Sequence, residues 1–278
     1  MTAPGTIRRP GQLSEPQPID ASNAAHAKVS VLLQGPAGSG KTHFACSMPQ
    51  PIVMGVSESN ISVPVGRITE GHKITLYPLK NWADYKWFVR KVKNREFDAA
   101  TVVLDSYTVI GTYVVNEAMS APAATTQDGN LKQARWTGVA SDQFTELLDL
   151  LGSTQPLVGK PSYHIAVTVH EQEEAVYDPE GKMTGISAIN PAVPGGFRRS
   201  FGAKFDCIFL TRTHPKLEKV GAVNKVTGAD HIMWTVAPDR LYSAKDGIGG
   251  NGGRKVLPVN VPNSWDALVA AWDSQPKV

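Results

Sequence analysis

The stretch Gly35-Pro36-Ala37-Gly38-Ser39-Gly40-Lys41-Thr42 decides the fold of this chain, because it matches the pattern GxxxxGK[ST] at every fixed position. The preceding run, Val29-Ser30-Val31-Leu32-Leu33, has the composition of a buried parallel strand. The residues from Thr42 to Ser47 can form the start of a helix. A strand, a glycine-rich turn and a helix are the context that this motif needs, so the sequence predicts a phosphate-binding loop, or P-loop.

Each residue type in the P-loop has a chemical task. Glycines allow backbone N–H groups to converge on phosphate oxygens, and the helix that follows adds its N-terminal dipole. Lys41 is expected to supply positive charge to the β- and γ-phosphates, and the hydroxyl of Thr42 to ligate Mg²⁺. We therefore expect ATP and Mg²⁺ as cofactors. The residues expected around the phosphates are Gly35, Pro36, Ala37, Gly38, Ser39, Gly40, Lys41 and Thr42.

Two carboxylates are candidates for the remaining chemistry. Asp105 ends the apolar run Thr101-Val102-Val103-Leu104, where it is expected to hold the second coordination shell of Mg²⁺. Because Ser106 and not a glutamate follows it, another carboxylate has to activate the attacking water. Glu58, just beyond the predicted strand that follows the P-loop helix, is the candidate general base, and a solvated loop glutamate is the alternative interpretation.

The rest of the chain alternates apolar runs with segments of helical spacing. This predicts an α/β fold with a mainly parallel central sheet flanked by helices, plus a late antiparallel hairpin. The predicted strands are Ile52–Met54, Ile74–Tyr77, Thr101–Ser106, Tyr163–His170, Asp206–Thr211, His231–Val236 and Arg240–Ser243, and the turn signal Asp178-Pro179-Glu180-Gly181 indicates a further hairpin. The predicted helices are Trp82–Val92, residues 107–119, Phe144–Leu151 and Ser264–Trp272. Three regions are expected: a flexible arm over 1–27, an ATPase core over 28–246, and a glycine-rich turn with a short helical tail over 247–278.

Composition excludes several classes of protein. The chain has 278 residues and a formal net charge of +3, and no apolar stretch approaches the roughly 20 residues that span a bilayer. Cys46 and Cys207 are the two cysteines, too few for a disulfide framework or a zinc site. The sequence thus predicts a cytoplasmic protein with no membrane partner.

The segment from about Lys28 to Asp246 resembles the RecA-like core ATPases encoded by bacteriophages, and among them the Sak-type single-strand annealing proteins. The resemblance rests on the P-loop and on three further stretches, Val102-Val103-Leu104-Asp105-Ser106, Val167-Thr168-Val169-His170-Glu171 and Tyr242-Ser243-Ala244-Lys245-Asp246. It implies a RecA-like P-loop NTPase core, ATP-linked binding of single-stranded DNA, and a role in phage recombination or replication. It also implies a homo-oligomeric ring or filament with ATP at the subunit interfaces, where Lys245 acts on the neighbouring site. A single-strand-binding protein is a further candidate partner, and the expected location is the host cytoplasm if the protein is phage-encoded.

His170 and Gln172 follow the strand that lies beside the P-loop strand in a RecA-like sheet. At that position they are candidate sensors of the γ-phosphate. A strand-ending histidine that is bonded to backbone is the alternative interpretation of His170.

Two loops are candidates for DNA binding, because each combines basic and aromatic residues. In the first, about Ser120 to Trp136, the candidates are Lys132, Arg135 and Trp136. In the second, about Glu173 to Lys204, the candidates are Phe197, Arg198, Arg199, Phe201 and Lys204. A solvated basic loop with a packed phenylalanine is the alternative for the second loop.

The leading functional hypothesis is a DNA-stimulated ATPase of phage recombination or strand annealing. The alternatives are another P-loop ATPase of phage replication or packaging, such as a helicase loader or motor subunit, and a nucleotide switch or small-molecule kinase. Asp105-Ser106, in place of Asp-Glu, argues against a typical loader of the AAA+ type. The sequence lacks the arginine-rich lid that small-molecule kinases use, which argues against the kinase hypothesis.

Overall fold

The computed structural model describes residues 28–57, 72–120, 145–193, 198–220, 223–238, 242 and 257–274. Ten strands and six helices are described below. The strands are β1 (Ser30–Gln34), β2 (Ile52–Val56), β3 (Ile74–Pro78), β4 (Thr101–Asp105), β5 (His164–Val169), β6 (Glu171–Tyr177), β7 (Met183–Pro191), β8 (Cys207–Val220), β9 (Val223–Trp234) and β10 (Asn260–Pro262). The helices are α1 (Lys41–Cys46), α2 (Trp82–Lys93), α3 (Tyr107–Ser120), α4 (residues 145–151), α5 (Arg198–Phe201) and α6 (Trp265–Asp273).

The main sheet has eight strands in the order β10-β9-β8-β1-β5-β4-β2-β3. From β8 to β3 every neighbouring pair is parallel, and β9 and β10 add an antiparallel edge. The P-loop strand β1 therefore lies beside β5, and β5 separates it from β4, which ends in Asp105. The predicted α/β fold with a mainly parallel sheet is confirmed.

The central strands β1, β2, β4 and β5 are mostly apolar and are buried along almost their whole length, because both faces of the sheet are covered. Alternate residues of β1 belong to different cores, with Leu32 on one face and Val31 and Leu33 on the other. The first core is completed by α2 and α3, with Phe88 and Tyr107 fully buried. The second core is completed by α1 and α6. Helices thus cover both faces of the sheet, and the P-loop and Asp105 lie at the carboxyl ends of its strands.

Two hairpins extend the fold. The first is β6–β7, whose strands pair antiparallel around the turn that the sequence predicts at residues 178–181. The second is β8–β9, whose outer part from Thr213 to His231 projects beyond the sheet with exposed side chains on both strands over the described residues.

The predicted late strand His231–Val236 corresponds to the inner part of β9. Residues Ile232–Trp234 of β9 pair with β8 on one side and with β10 on the other. The predicted strand Arg240–Ser243 lies, apart from Tyr242, outside the described residues and stays a prediction. The sequence predicts a strand only over Asp206–Thr211, whereas β8 continues to Val220. Its outer part is rich in polar residues and shows little of the apolar pattern that indicates a strand.

The predicted tail after residue 246 packs on the main sheet over its described residues. Strand β10 joins the main sheet, and Leu257, Val261 and Leu268 are buried in the second core. Ser264 is the N-cap of helix α6, and its hydroxyl accepts a hydrogen bond from the backbone N–H of Ala267 at 3.3 Å. The arm over 1–27 lies outside the described residues.

Candidate nucleotide-binding site

The P-loop connects the carboxyl end of β1 to the first residue of α1, Lys41, as the motif predicts. Gly38 and Gly40 have φ angles of +74° and +94°, in the left-handed region where only glycine is unstrained. A Cβ atom at Gly40 would also collide with the side-chain nitrogen of Asn263. The loop therefore needs glycine at this position for both backbone and packing reasons.

Lys41 is 6% exposed and its ammonium folds back over the start of the loop. Its Nζ donates to the carbonyl oxygens of Gly35 at 2.8 Å and Pro36 at 2.7 Å. The positive charge is thus held above the backbone that the motif assigns to phosphate. This arrangement fits a triphosphate, because phosphate oxygens are better acceptors for an ammonium than neutral carbonyls are.

Asp105 lies between two threonine hydroxyls from different elements. Thr42 Oγ1 donates to Asp105 Oδ2 at 2.6 Å, and Thr168 Oγ1 donates to Asp105 Oδ1 at 2.5 Å. The structure therefore brings together the two residues predicted for Mg²⁺, Thr42 and Asp105. Thr168, which is fully buried, was missed as a site residue. Its signal is a single hydroxyl within the apolar run of β5.

The Cys46 thiol is buried in the neighbourhood of Asp105. Burial, and secondarily the charge of Asp105, raises the pKa of Cys46 to about 12. The buried thiol therefore stays protonated at neutral pH and is no competing metal ligand. In the part of the chain that the structure describes, no three His, Cys, Asp or Glu side chains form a metal-binding group. One hydroxyl and one carboxylate are nevertheless a normal protein contribution to Mg²⁺, because nucleotide phosphates and water complete its coordination.

The end of β2 is tied directly to the residue after Asp105. Ser57 Oγ donates to the carbonyl of Ser106 at 2.8 Å and accepts from the N–H of Ser106 at 2.8 Å. The hydroxyl of Tyr113 lies 3.1 Å from the carbonyl of Ser57. These hydrogen bonds fix Ser57, the residue before Glu58, next to Ser106. Glu58 itself lies outside the described residues, so its role as general base stays a prediction.

The other side of the P-loop rests on residues distant in sequence. Ser39 Oγ and Thr211 Oγ1 are 2.7 Å apart, and Thr213 Oγ1 donates to the carbonyl of Gly38 at 3.1 Å. Asn263 Nδ2 donates to the carbonyl of Gly40 at 2.7 Å. These contacts fix the curvature of the loop. No local pattern marks Thr211, Thr213 or Asn263, because their role depends on strand register.

A cleft of about 580 Å³ opens beside the first P-loop residues. Its lining consists of Pro36, Ala37, His170, Glu171, Gln172, Glu173, Ile189 and Tyr242. The candidate sensors His170 and Gln172 thus share one cleft with the P-loop, as the predicted position of β5 requires. The backbone N–H of His170 is held by Thr108 Oγ1 at 2.8 Å.

The candidate DNA residues that are described fall on α5 and the turn after it. Phe201 is fully buried, and its ring packs on those of Tyr107 and Phe205 with centroids 5.1 Å and 5.5 Å away. The expectation that Phe201 offers its ring to a base is therefore corrected: it anchors α5 to the core. Arg198 Nε donates to the carbonyl of Val193 at 3.2 Å, while Lys204 is exposed.

The remaining predicted residues are not tested. Lys132, Arg135, Trp136, Phe197 and Lys245 lie outside the described residues, as does the side chain of Arg199.

None of the helices in the described ranges has the length and apolar character needed to cross a bilayer.

Comparison with known proteins places this geometry in a family. A search of curated proteins gave no match. A family model described as AAA domain matches residues 27–247, which is most of the chain. The matched segment begins just before β1 and contains the P-loop, Asp105 and the cleft beside them. The chain therefore belongs to the AAA domain family, and it carries an ATP-binding P-loop ATPase domain.

Proposed function

We propose that this ATPase binds single-stranded DNA and serves phage-type recombination or strand annealing, like the Sak-type proteins that its sequence resembles. The observation that carries the proposal is the contact between Phe201 and Tyr107. Tyr107 begins α3, two residues after Asp105, and Phe201 belongs to α5, which carries Arg198 and Arg199. A helix with two arginines is thus packed, through Phe201, against the helix that follows Asp105.

The chemistry assigned to the site is hydrolysis of the γ-phosphate. Mg²⁺, when bound, neutralises charge on the β- and γ-phosphates. Thr42 would ligate it, and Asp105 would orient that hydroxyl and the coordinated water. Lys41 would leave the carbonyls of Gly35 and Pro36 to contact phosphate oxygens, and Glu58 would take the proton of the attacking water.

Coupling to DNA follows from the position of α5. Single strands are held mainly through their phosphates, and Arg198, Arg199 and Lys204 provide positive charge within one short segment. Movement of α3 on hydrolysis would shift α5 through the buried Phe201 ring. This would change the grip on DNA without any direct contact between DNA and nucleotide.

The proposal includes self-association with ATP at subunit boundaries. The cleft beside Pro36 and Ala37 is open to a group from a neighbouring copy. Lys245 is the residue proposed to act there. Mass measurements with and without a non-hydrolysable ATP analogue test this part, and a protein that is monomeric under both conditions and with DNA refutes it.

A salt titration of single-stranded DNA binding tests the DNA part. In Arg198→Ala/Arg199→Ala, affinity should fall for all sequences alike, because phosphates carry no base identity. The slope of log affinity against log salt should decrease by about 0.7 for each lost phosphate contact. Turnover of ATP in the absence of DNA should persist.

A matched control removes two positive charges elsewhere. Lys91 and Lys93 of α2 pair with Glu96 and Asp149 on the surface. Lys91→Ala/Lys93→Ala should leave the slope unchanged. An unchanged slope and affinity in the arginine variant would remove α5 from the DNA path, and equal losses in both variants would indicate binding by general charge alone.

A further inference from the structure

An arginine with no role in the sequence hypothesis lies beside the P-loop. Strand β8 pairs with β1 up to Leu210 and Gln34, so Arg212 follows at the level where the P-loop begins. Its side chain is 14% exposed. Nη1 donates to the carbonyl of Thr211 at 2.8 Å, and that carbonyl lies close against Gly35. The guanidinium is thus fixed to Thr211, whose carbonyl lies next to the first residue of the P-loop.

Glu171 is the partner of this cation. Arg212 Nη2 donates to Glu171 Oε1 at 2.7 Å, and both side chains are 14% exposed. Glu171 is also the first residue of β6, directly after the candidate sensor His170. The ion pair therefore connects the strand beside the P-loop to the base of the β6–β7 hairpin.

Two aromatic rings hold the guanidinium in place. Its Cζ lies 5.5 Å from the centroid of Trp234 and 4.9 Å from that of Tyr242. Aromatic faces stabilise a planar cation while removing water from it. A partly desolvated guanidinium interacts strongly with anions, and its planar donors suit a phosphate as well as a carboxylate.

The cleft beside the P-loop joins these observations. Glu171 and Tyr242, two of the groups in contact with Arg212, line it together with Pro36 and Ala37. Arg212 is not one of the lining residues but contacts both of these side chains, so an anion in the cleft would reach its guanidinium by taking the place of the Glu171 carboxylate. In an ATP-bound P-loop protein the anion available there is the terminal phosphate.

We propose that Arg212 is a ligand of the γ-phosphate of ATP and that it exchanges Glu171 for this phosphate. ADP, which lacks the γ-phosphate, leaves the Arg212–Glu171 pair closed. The exchange frees Glu171 and loosens the base of the β6–β7 hairpin. The inference goes beyond the proposed function, because it requires nucleotide binding at the P-loop and does not depend on DNA.

Opposite effects of two substitutions test the exchange. Arg212→Gln removes the phosphate ligand, so binding of a non-hydrolysable ATP analogue with Mg²⁺ should weaken about 10- to 100-fold, while ADP binding changes less than about 3-fold. Glu171→Gln removes the competitor, so the analogue should bind at least about 3-fold more tightly, again with little change for ADP. A purely structural ion pair predicts losses in the same direction for both variants and both nucleotides.

Two further readouts follow the exchange without catalysis. The analogue, but not ADP, should change a tryptophan fluorescence signal that is absent in Trp234→Phe. It should also speed hydrogen exchange of backbone amides in residues 171–177. Lys216→Gln breaks an exposed ion pair with Asp230 on the outer β8–β9 hairpin, and as a control it should alter none of these quantities.

Equal loss of analogue and ADP binding in Arg212→Gln would overturn the proposal, as would weaker or unchanged analogue binding in Glu171→Gln. If thermal denaturation shows that Arg212→Gln does not fold, Glu171→Gln decides alone by the same criterion. Tighter analogue binding with unchanged ADP binding upholds the exchange.

Discussion

Replacing Thr168 by valine removes one hydroxyl from the Asp105 carboxylate at almost constant volume. The hydroxyl is fully buried and donates to Asp105 Oδ1 at 2.5 Å. A hydrogen bond to a charged group contributes about 1.5–3 kcal/mol, so the free energy of unfolding should fall by about that amount. For a domain of this size the melting temperature should fall by roughly 3–12 °C.

The same substitution should affect the metal. Without Thr168, Asp105 loses one of the two hydroxyls that fix its orientation, so the Mg²⁺ concentration at half-maximal ATP turnover should rise several-fold. Thr168→Ser keeps the donor and should restore the parent Mg²⁺ dependence. Turnover measured across a Mg²⁺ titration, together with thermal denaturation, gives both quantities.

Thr154→Val is the matched control for Thr168→Val. The hydroxyl of Thr154 is also buried, but it donates to the neutral carbonyl of Leu151 at 3.0 Å. Its loss should cost about 0.5–1.5 kcal/mol and leave the Mg²⁺ dependence unchanged. A Thr168→Val protein with parent stability and parent Mg²⁺ dependence would refute the reasoning.

Three further outcomes are expected. Lys41→Ala should abolish hydrolysis and greatly weaken nucleotide binding, since it removes the P-loop's own cation, and normal turnover would contradict the site. Glu58→Gln should bind ATP normally but turn over at least about 100-fold more slowly, whereas equal losses in binding and turnover would indicate a structural defect. Burial, and secondarily the charge of Lys28, lowers the pKa of His164 from 6.5 to about 4. The His164 imidazole binds a proton below about pH 6.5 in the unfolded chain but only near pH 4 in the folded chain. Acidification over that range should therefore lower the free energy of unfolding by up to about 3 kcal/mol. Denaturant titration measures this loss, which should be absent in His164→Gln.

The features that sequence predicts well here are local. The P-loop is recognised because its motif has a fixed spacing. Asp105 is recognised because it directly follows an apolar run that predicts a buried strand. Strands β1, β2, β4 and β5 follow from the same apolar runs, since a strand buried on both faces leaves little ambiguity over four to six residues.

The features that sequence misses depend on register between distant segments. Thr168 meets Asp105 because β5 lies beside β4, and Arg212 comes to the level of the P-loop because β8 lies beside β1. Phe201 illustrates the opposite error: its arginine neighbours made it resemble a base-stacking residue. Its burial against Tyr107 depends on a contact that no local pattern encodes.

The contact between Asn263 and Gly40 has a consequence for the order of events during synthesis. All the motif residues of the ATPase lie before residue 247, where the family match ends. The carbonyl of Gly40 nevertheless receives its hydrogen bond from Asn263, and the Trp265 ring packs on Phe44 of α1 at 6.4 Å. A nascent chain that has left the ribosome only as far as residue 247 therefore has every motif residue and the Thr211 and Thr213 contacts to the loop, but it lacks the hydrogen bond from Asn263 to Gly40. Tight ATP binding should appear only when residues 257–274 have emerged.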